Sequence, residues 1–272
     1  MLFLAGLCAL LALPARGGIT VSPGHLFLNS VHRTITISAL NDGDDEREVW
    51  MEVKFGYETS DDSGKIFVLI DSAAVDEPSA AGWIECYPRR FNLKPGESQT
   101  VRIMARPPAG LSDGEYWSRV IVASKTRLTA QKSTVAPTGT KPGFTIIYQQ
   151  SVPFHYRVGN VTTGVTIDSL TTALSDTSLN VVTQIGRTGN AAFWGSRTLQ
   201  LLDNTGTSVY KVTRNAGVYK RMKFIDHISR SAVPAGEYTL SVVFSSEGRS
   251  DVTKRDLIKA APVRSAVSVT IP

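Results

Sequence analysis

From Ile19 to Ile271 the chain alternates apolar and polar residues, and nowhere sustains the 3.6-residue period of an amphipathic helix. A period of two puts successive side chains on opposite faces of a strand, so the fold class it implies is all-β. Ile35, Ile37 and Ala39 alternate with Thr34, Thr36 and Ser38; Val49, Met51, Val53, Phe55 and Tyr57 alternate with Glu48, Trp50, Glu52 and Lys54. Val101, Ile103 and Ala105 repeat the pattern. Turn chemistry separates these runs at Asn41-Asp42-Gly43-Asp44 and at Lys94-Pro95-Gly96-Glu97. Pro23-Gly24 interrupts the opening extended segment, which predicts a strand that breaks or changes sheet there. After Arg157-Val158-Gly159-Asn160 the pattern restarts, with candidate strands at 165–170, 179–185, 197–202, 208–213, 218–225, 238–245 and 266–271. Asp203-Asn204-Thr205-Gly206 reads as a hairpin turn. Two tandem β-sandwiches, over residues 17–158 and 159–272, are the expected architecture.

Each half carries a similar corner. Ser112-Asp113-Gly114-Glu115-Tyr116 resembles the tyrosine corner of immunoglobulin-like sandwiches, and Pro234-Ala235-Gly236-Glu237-Tyr238 echoes it. Ser118 stands where antibody domains carry a cysteine, which is consistent with a disulfide-free version.

The stretch from Gly143 to Gly159 stands apart. Phe144, Ile146 and Tyr148 share one parity, continued by Val152, Phe154 and Tyr156. Pro153 cannot donate to a ladder, so one side of this strand is expected to be free. No Asp, Glu, Lys or Arg occurs from Phe144 to His155, although charge is the usual protection of an exposed edge. Either another strand of the fold covers this edge, or a partner's strand does.

Residues 1–16 contain an apolar run ending in Leu13-Pro14-Ala15, the pattern of a signal peptide for export that is too short to span a bilayer stably. The usual basic segment ahead of it is missing. No other run approaches membrane length, so no stable membrane insertion is expected. Cys8 lies within that segment, which leaves Cys86 alone in the exported chain, read as a small buried hydrophobe. The formal charge is +5, all of it carried by residues 158–272, with 13 Lys and Arg against 8 Asp and Glu. Arg214, Lys220, Arg221 and Lys223 make that half locally basic, which suits a solvated face or a docking surface for an acidic partner. No nucleic-acid-binding motif accompanies the charge.

Catalytic chemistry has little to work with. His25, His32, His155 and His227 are scattered, without metal-ligand spacing, and no nucleophile elbow or phosphate-cradling glycine loop occurs. Asp42, Asp44, Asp45 and Glu46 form an acidic turn; solvated carboxylates on a turn explain it more simply than calcium does. No catalytic residue, metal or cofactor is expected. Trp50, Trp117 and Ile121 lie on the polar parity of their strands, so those faces either cover one another, meet the second domain or bind a partner.

Together, Tyr87-Pro88-Arg89-Arg90-Phe91-Asn92-Leu93-Lys94-Pro95-Gly96-Glu97-Ser98-Gln99-Thr100-Val101-Arg102-Ile103 and Pro108-Ala109-Gly110-Leu111-Ser112-Asp113-Gly114-Glu115-Tyr116 resemble the periplasmic pilus-assembly (PapD-like) chaperone family, in its atypical fimbrial branch. Thr20-Val21-Ser22-Pro23 and Val152-Pro153-Phe154-His155-Tyr156-Arg157 fit the same pattern. The resemblance is good over residues 19–159 and fainter beyond, where Arg187-Thr188-Gly189-Asn190 and Gly236-Glu237-Tyr238 look like a variant of the smaller domain. It implies two immunoglobulin-like domains, a periplasmic location, pilin or fimbrial subunits as clients and an outer-membrane usher as acceptor. It implies strand addition to the client by Phe144, Ile146 and Tyr148. The family anchors the client's terminal carboxylate with an Arg on the first strand and a Lys on the last; here those positions fall near His25 and between Ser151 and Pro153, with no Lys. Arg119 and Arg157 are alternative cations. Two other classes stay open: a secreted structural or adhesive immunoglobulin-like fimbrial subunit, and a carbohydrate-active sandwich enzyme.

Overall fold

The computed structural model describes residues 18–71, 77–126, 145–249 and 251–272; the expected signal segment 1–16 and the candidate donor Phe144 lie outside them. The chain forms two tandem immunoglobulin-like β-sandwiches. The first is built from β1 (Ile19–Ser22), β2 (Leu26–Asn29), β3 (Thr34–Asn41), β4 (Arg47–Ser60), β5 (Ile66–Asp71), β6 (Ile84–Tyr87), β7 (Arg90–Leu93), β8 (Ser98–Ala105), β9 (Gly114–Thr126) and β10 (Ile147–Val158). The second contains β11 (Thr163–Leu174), β12 (Ser178–Gly189), β13 (Phe193–Leu202), β14 (Ser208–Val218), β15 (Arg221–Ser229), β16 (Gly236–Ser245) and β17 (Val263–Ile271).

The first sandwich pairs a β1-β3-β8-β6 sheet with a β2-β10-β9-β4-β5 sheet, and β7 also pairs with β4. It has more strands than its periodicity suggests because proline lets the chain change sheets twice. At Pro23-Gly24 the opening segment leaves β3, which β1 pairs antiparallel, and joins β10, which β2 pairs parallel. At Pro88 the chain leaves β8, the partner of β6, and crosses to β4, the partner of β7. A residue without an N–H gives up one ladder bond, so such a crossing is least costly there. The alternating faces close on one core: Val49, Met51, Ile37, Val101 and Ile103 are buried with Val120, Val122, Val152, Phe154 and Tyr156. Cys86 lies in the same core, and burial pushes its thiol up to about 11, so it behaves as an apolar side chain.

In the second sandwich β11-β12-β15 faces β14-β13-β16-β17, around Leu199, Val218, Phe224, Leu240 and Phe244. Six of the seven segments expected from alternation lie within single strands. One boundary differs: residues 218–225 are not one strand, because Tyr219-Lys220 carries the chain from the sheet of β14 to that of β15. The hairpin at Asp203 closes as its composition predicts. Asp203 accepts bonds from the Thr205 and Thr207 amides, each 2.9 Å, and Gly206 takes a φ of 83°.

The acidic turn is structural at its first member. Asp42 accepts bonds from the Gly18 amide at 2.9 Å and the Thr20 hydroxyl at 2.7 Å, tying β1 to the β3–β4 connection. The two corners are the same device. Tyr116 donates to the Ser112 carbonyl at 3.1 Å, and Tyr238 to the Pro234 carbonyl at 3.0 Å, each reaching back four residues. Tyr238→Phe deletes that bond with little change of volume, so urea unfolding should show a loss of about 1 kcal/mol; no change would mean water replaces the acceptor.

Candidate functional site

β10 is paired along its whole length on one side only. Against β9 the register runs from Ile147 opposite Lys125 to Val158 opposite Gly114. On the other side β2 pairs only from Phe154 opposite Leu26 to Arg157 opposite Asn29. Among the described residues, no strand flanks 147–153 on that second side, and Pro153 is the last residue before parallel pairing begins. The backbone there offers unpaired groups and the side chains are open: Ile146 is 62% exposed, Ile147 51% and Tyr148 47%. Even-numbered residues of β10 face the sandwich interior, where Val152, Phe154 and Tyr156 are buried. Tyr148 continues that face beyond the packed core, and the Arg47 guanidinium lies 5.1 Å from its ring centroid. Arg47 is itself buried, and among the described residues its Nε and Nη1 have no hydrogen-bond partner. Its place on the parity of Val49 and Met51 was the signal available in the sequence for a cation below the edge.

Odd-numbered residues of β10 face the second domain, and there the structure brings the three anchor candidates together. Phe27 lies opposite His155 in the register, so His25 shares that face. Arg119 lies directly opposite Pro153. Around them an aromatic cluster joins the two sandwiches: Phe55, Tyr57 and Trp117 from the first meet Ala192, Trp194, Tyr219 and Val252 from the second. Trp194 stands edge-on to His25 at 4.9 Å and to His155 at 5.1 Å, while Tyr219 stands edge-on to Trp117 at 5.3 Å. Trp117 is thus explained by the second domain. Trp50 remains on the outer face, flanked by Arg90 and Lys125, each 6.0 Å from its ring.

Glu115, 1% exposed, is the polar centre of this junction. Its Oε1 accepts bonds from His155 Nδ1 at 3.0 Å and the Ala192 amide at 3.2 Å; its Oε2 accepts one from Arg157 Nε at 2.8 Å. Burial acts to raise the Glu115 carboxyl, but His155 and Arg157 outweigh it and hold the group below the usual carboxylate range. Burial pushes His155 down against the pull of Glu115, so the imidazole is neutral and Arg157 supplies the counter-charge. Burial also drives the Tyr219 hydroxyl far above the phenol range, leaving it an O–H that donates to His155 Nε2 at 3.3 Å. Neither Glu115 nor Tyr219 was singled out from the sequence for this role. The legible sign was a carboxylate beside the corner tyrosine, at the start of a strand that runs apolar from Val120 to Ala123.

The three anchor candidates therefore differ. Arg157 is committed to Glu115 and to the Asp256 carbonyl, 2.7 Å away. His25 contacts Asp251 at 3.2 Å, yet burial lowers it to about 4, so it is neutral at pH 7. Arg119 is fully buried, its Nη2 3.7 Å from Glu58 and its guanidinium 5.7 Å from the Tyr219 centroid, with no hydrogen-bond partner for Nε or Nη2 among the described residues.

The basic cluster is partly spent within the chain. Lys220 pairs with Glu77, and Lys223 Nζ donates to the Asp62 carbonyl at 2.6 Å, both across the domain junction. The connection itself is clamped: Asp113 Oδ2 accepts from the Asn160 amide at 2.9 Å, and Asn190 Nδ2 donates to the Asp113 and Asn160 carbonyls. Gly159 takes a φ of 57°, and a Cβ there would lie 1.8 Å from Asp113 Oδ1, so only glycine fits.

No known family's sequence profile matches the chain, and no curated protein matches its sequence. Solved structures similar over nearly its whole length include three. One is the CsuC–CsuE chaperone–tip adhesion subunit pre-assembly complex from archaic chaperone-usher Csu pili of Acinetobacter baumannii: 13% identity, 91% of this chain and 98% of that chain, TM-score 0.45. Another is the YadV chaperone: 9% identity, 93% and 100%, TM-score 0.47. A third is the Pseudomonas aeruginosa CupB2 chaperone: 9% identity, 93% and 100%, TM-score 0.43.

Glu115→Ala leaves Arg157 without its carboxylate, and denaturant unfolding should show a loss of about 3 kcal/mol. The pH dependence has a definite sign. His25 is lowered from 6.5 to about 4, so an unfolded chain binds more protons in that window. Its contribution is fully present above 6.5 and lost as pH falls toward 4. His25→Gln should flatten the thermal midpoint across that window; an unchanged slope would assign the acid sensitivity elsewhere.

Proposed function

We propose that this protein is a non-enzymatic periplasmic chaperone of the pilus-assembly, PapD-like family. In this reading residues 1–16 direct export, 17–158 form the client-binding domain and 159–272 the second domain. The chaperone caps pilin or fimbrial subunits by adding the free edge of β10 to an incomplete subunit sheet, and passes them to an outer-membrane usher. The observation that carries the reading is the half-paired β10: free of Asp, Glu, Lys and Arg from Ile147 to His155, with its second edge open over 147–153 among the described residues and Ile146 and Tyr148 exposed at its start. Main-chain bonds along that edge supply affinity, and alternate side chains, Phe144, Ile146 and Tyr148, fill the client's groove. The motif set spanning Tyr87 to Tyr116 supports the same reading.

For the client's terminal carboxylate, Arg119 is the best supported of the three candidates. It is the cross-strand neighbour of Pro153, which occupies the place of the family's lysine, and cross-strand Cβ atoms lie about 5 Å apart. Among the described residues its Nε and Nη2 make no hydrogen bond and its ion-pair contact to Glu58 is long at 3.7 Å, whereas Arg157 is committed and His25 is neutral.

Co-expression with a fimbrial subunit from the same genome tests the proposal. Ile146→Asp and Tyr148→Asp each place a charge in an apolar groove, and recovery of the complex should fall at least tenfold while the chaperone stays folded. Capture undiminished by either change would sink strand donation. Arg119→Met should weaken capture further only for a client that retains its terminal carboxylate.

A further inference from the structure

The sheet that ends at β10 and β2 on one side ends at β5 on the other, and β5 is the less protected edge. It pairs with β4 from Phe55 opposite Asp71 to Ser60 opposite Ile66, and among the described residues no strand flanks its outer side. Its sequence, Ile66-Phe67-Val68-Leu69-Ile70, has no charge, proline or glycine to blunt it. Ile66 and Ile70 are 49% and 41% exposed, and Phe67 and Val68 are open as well. The ribbon is held in place from below. The Lys223 amide donates to Ser60 Oγ at 2.7 Å, and Gly64 packs against Ile225, so the second domain supports the hairpin tip.

The strand is self-complementary. Lys65 precedes the apolar run and Asp71 ends it; both are exposed, and neither forms an ion pair among the described residues. Two copies aligned antiparallel about Val68 would set Ile66 against Ile70, Phe67 against Leu69, and Val68 against itself. The same register sets each Lys65 against the other copy's Asp71. Opposed apolar pairs and opposite charges both favour an antiparallel ladder, and an isologous contact closes on itself without forming a filament. We propose that β5 is a homodimer edge, joining two copies of this chain through one continuous sheet. Because β5 and β10 lie at opposite ends of the sheet, this dimer leaves residues 147–153 free, and the inference does not depend on the strand-donor reading.

Sedimentation velocity over a concentration series tests it on the purified protein, with circular dichroism to verify folding. The wild type should form a reversible dimer, and Val68→Lys should abolish it. Lys65→Asp and Asp71→Lys should each weaken dimerisation about tenfold by opposing like charges. The double exchange Lys65→Asp/Asp71→Lys restores the pairing and should return the dissociation constant to within about threefold of wild type. This arm remains informative if Val68→Lys fails to fold. Tyr148→Asp should leave the dimer intact. A protein that stays monomeric at every concentration overturns the proposal, as does a double exchange that fails to restore what each single change lost. A dimer lost on Tyr148→Asp would mean that copies pair through β10 instead. Normal self-association in Val68→Lys with reduced capture of a fimbrial subunit would assign β5 to a foreign strand.

Discussion

A carboxylate sealed between two sandwiches holds this molecule in one shape. Glu115 leaves the start of β9, takes the Arg157 charge and the His155 ring from β10, and accepts the Ala192 amide of the second domain. A buried charge is tolerated only when its bonds are complete, and here they come from both sandwiches: His155 and Arg157 on β10 and the Ala192 amide of the second domain. Any sliding of one domain on the other would break several of them together. The rings of Phe27, Trp194 and Tyr219 exclude water from the centre and keep His155 neutral. The junction is specific because its polar atoms have few alternative partners.

That rigidity has a consequence for β10. The C-terminal half of the strand is fixed on both sides and by Glu115, while its N-terminal half is held by β9 alone. An edge with one end anchored and the other open is already in strand conformation, so a pairing partner meets little ordering cost. In the proposed role, Arg119 on β9 and Arg157 on β10 lie on the sheet face toward the second domain, and the opposite face of β10 carries the apolar donors. Pairing parity separates the two tasks within one sheet.

Much of the fold was legible in the sequence because alternation and turn chemistry are local. The seven strands of the second half, the Asp203 hairpin, the sheet change at Pro23-Gly24 and both tyrosine corners follow from neighbouring residues. Crossings between sheets were harder. Nothing in residues 218–225 marks Tyr219-Lys220 as a break, because both sides of it are good strand sequence and burial of Tyr219 in the junction decides the matter. The basic cluster misled for a related reason: Lys220 and Lys223 look free until Glu77 and Asp62 arrive from another domain.

By itself, the sequence determined the all-β class, the tandem sandwiches and a strand free of charge from Ile147 to His155, because each depends on the period and chemistry of adjacent residues. Tertiary structure alone decided which edge of that strand is open, that Arg119 lies across from Pro153, and that Glu115 rather than a histidine governs the junction. Those outcomes depend on pairing register and on desolvation by residues distant in the chain, neither of which a linear pattern encodes.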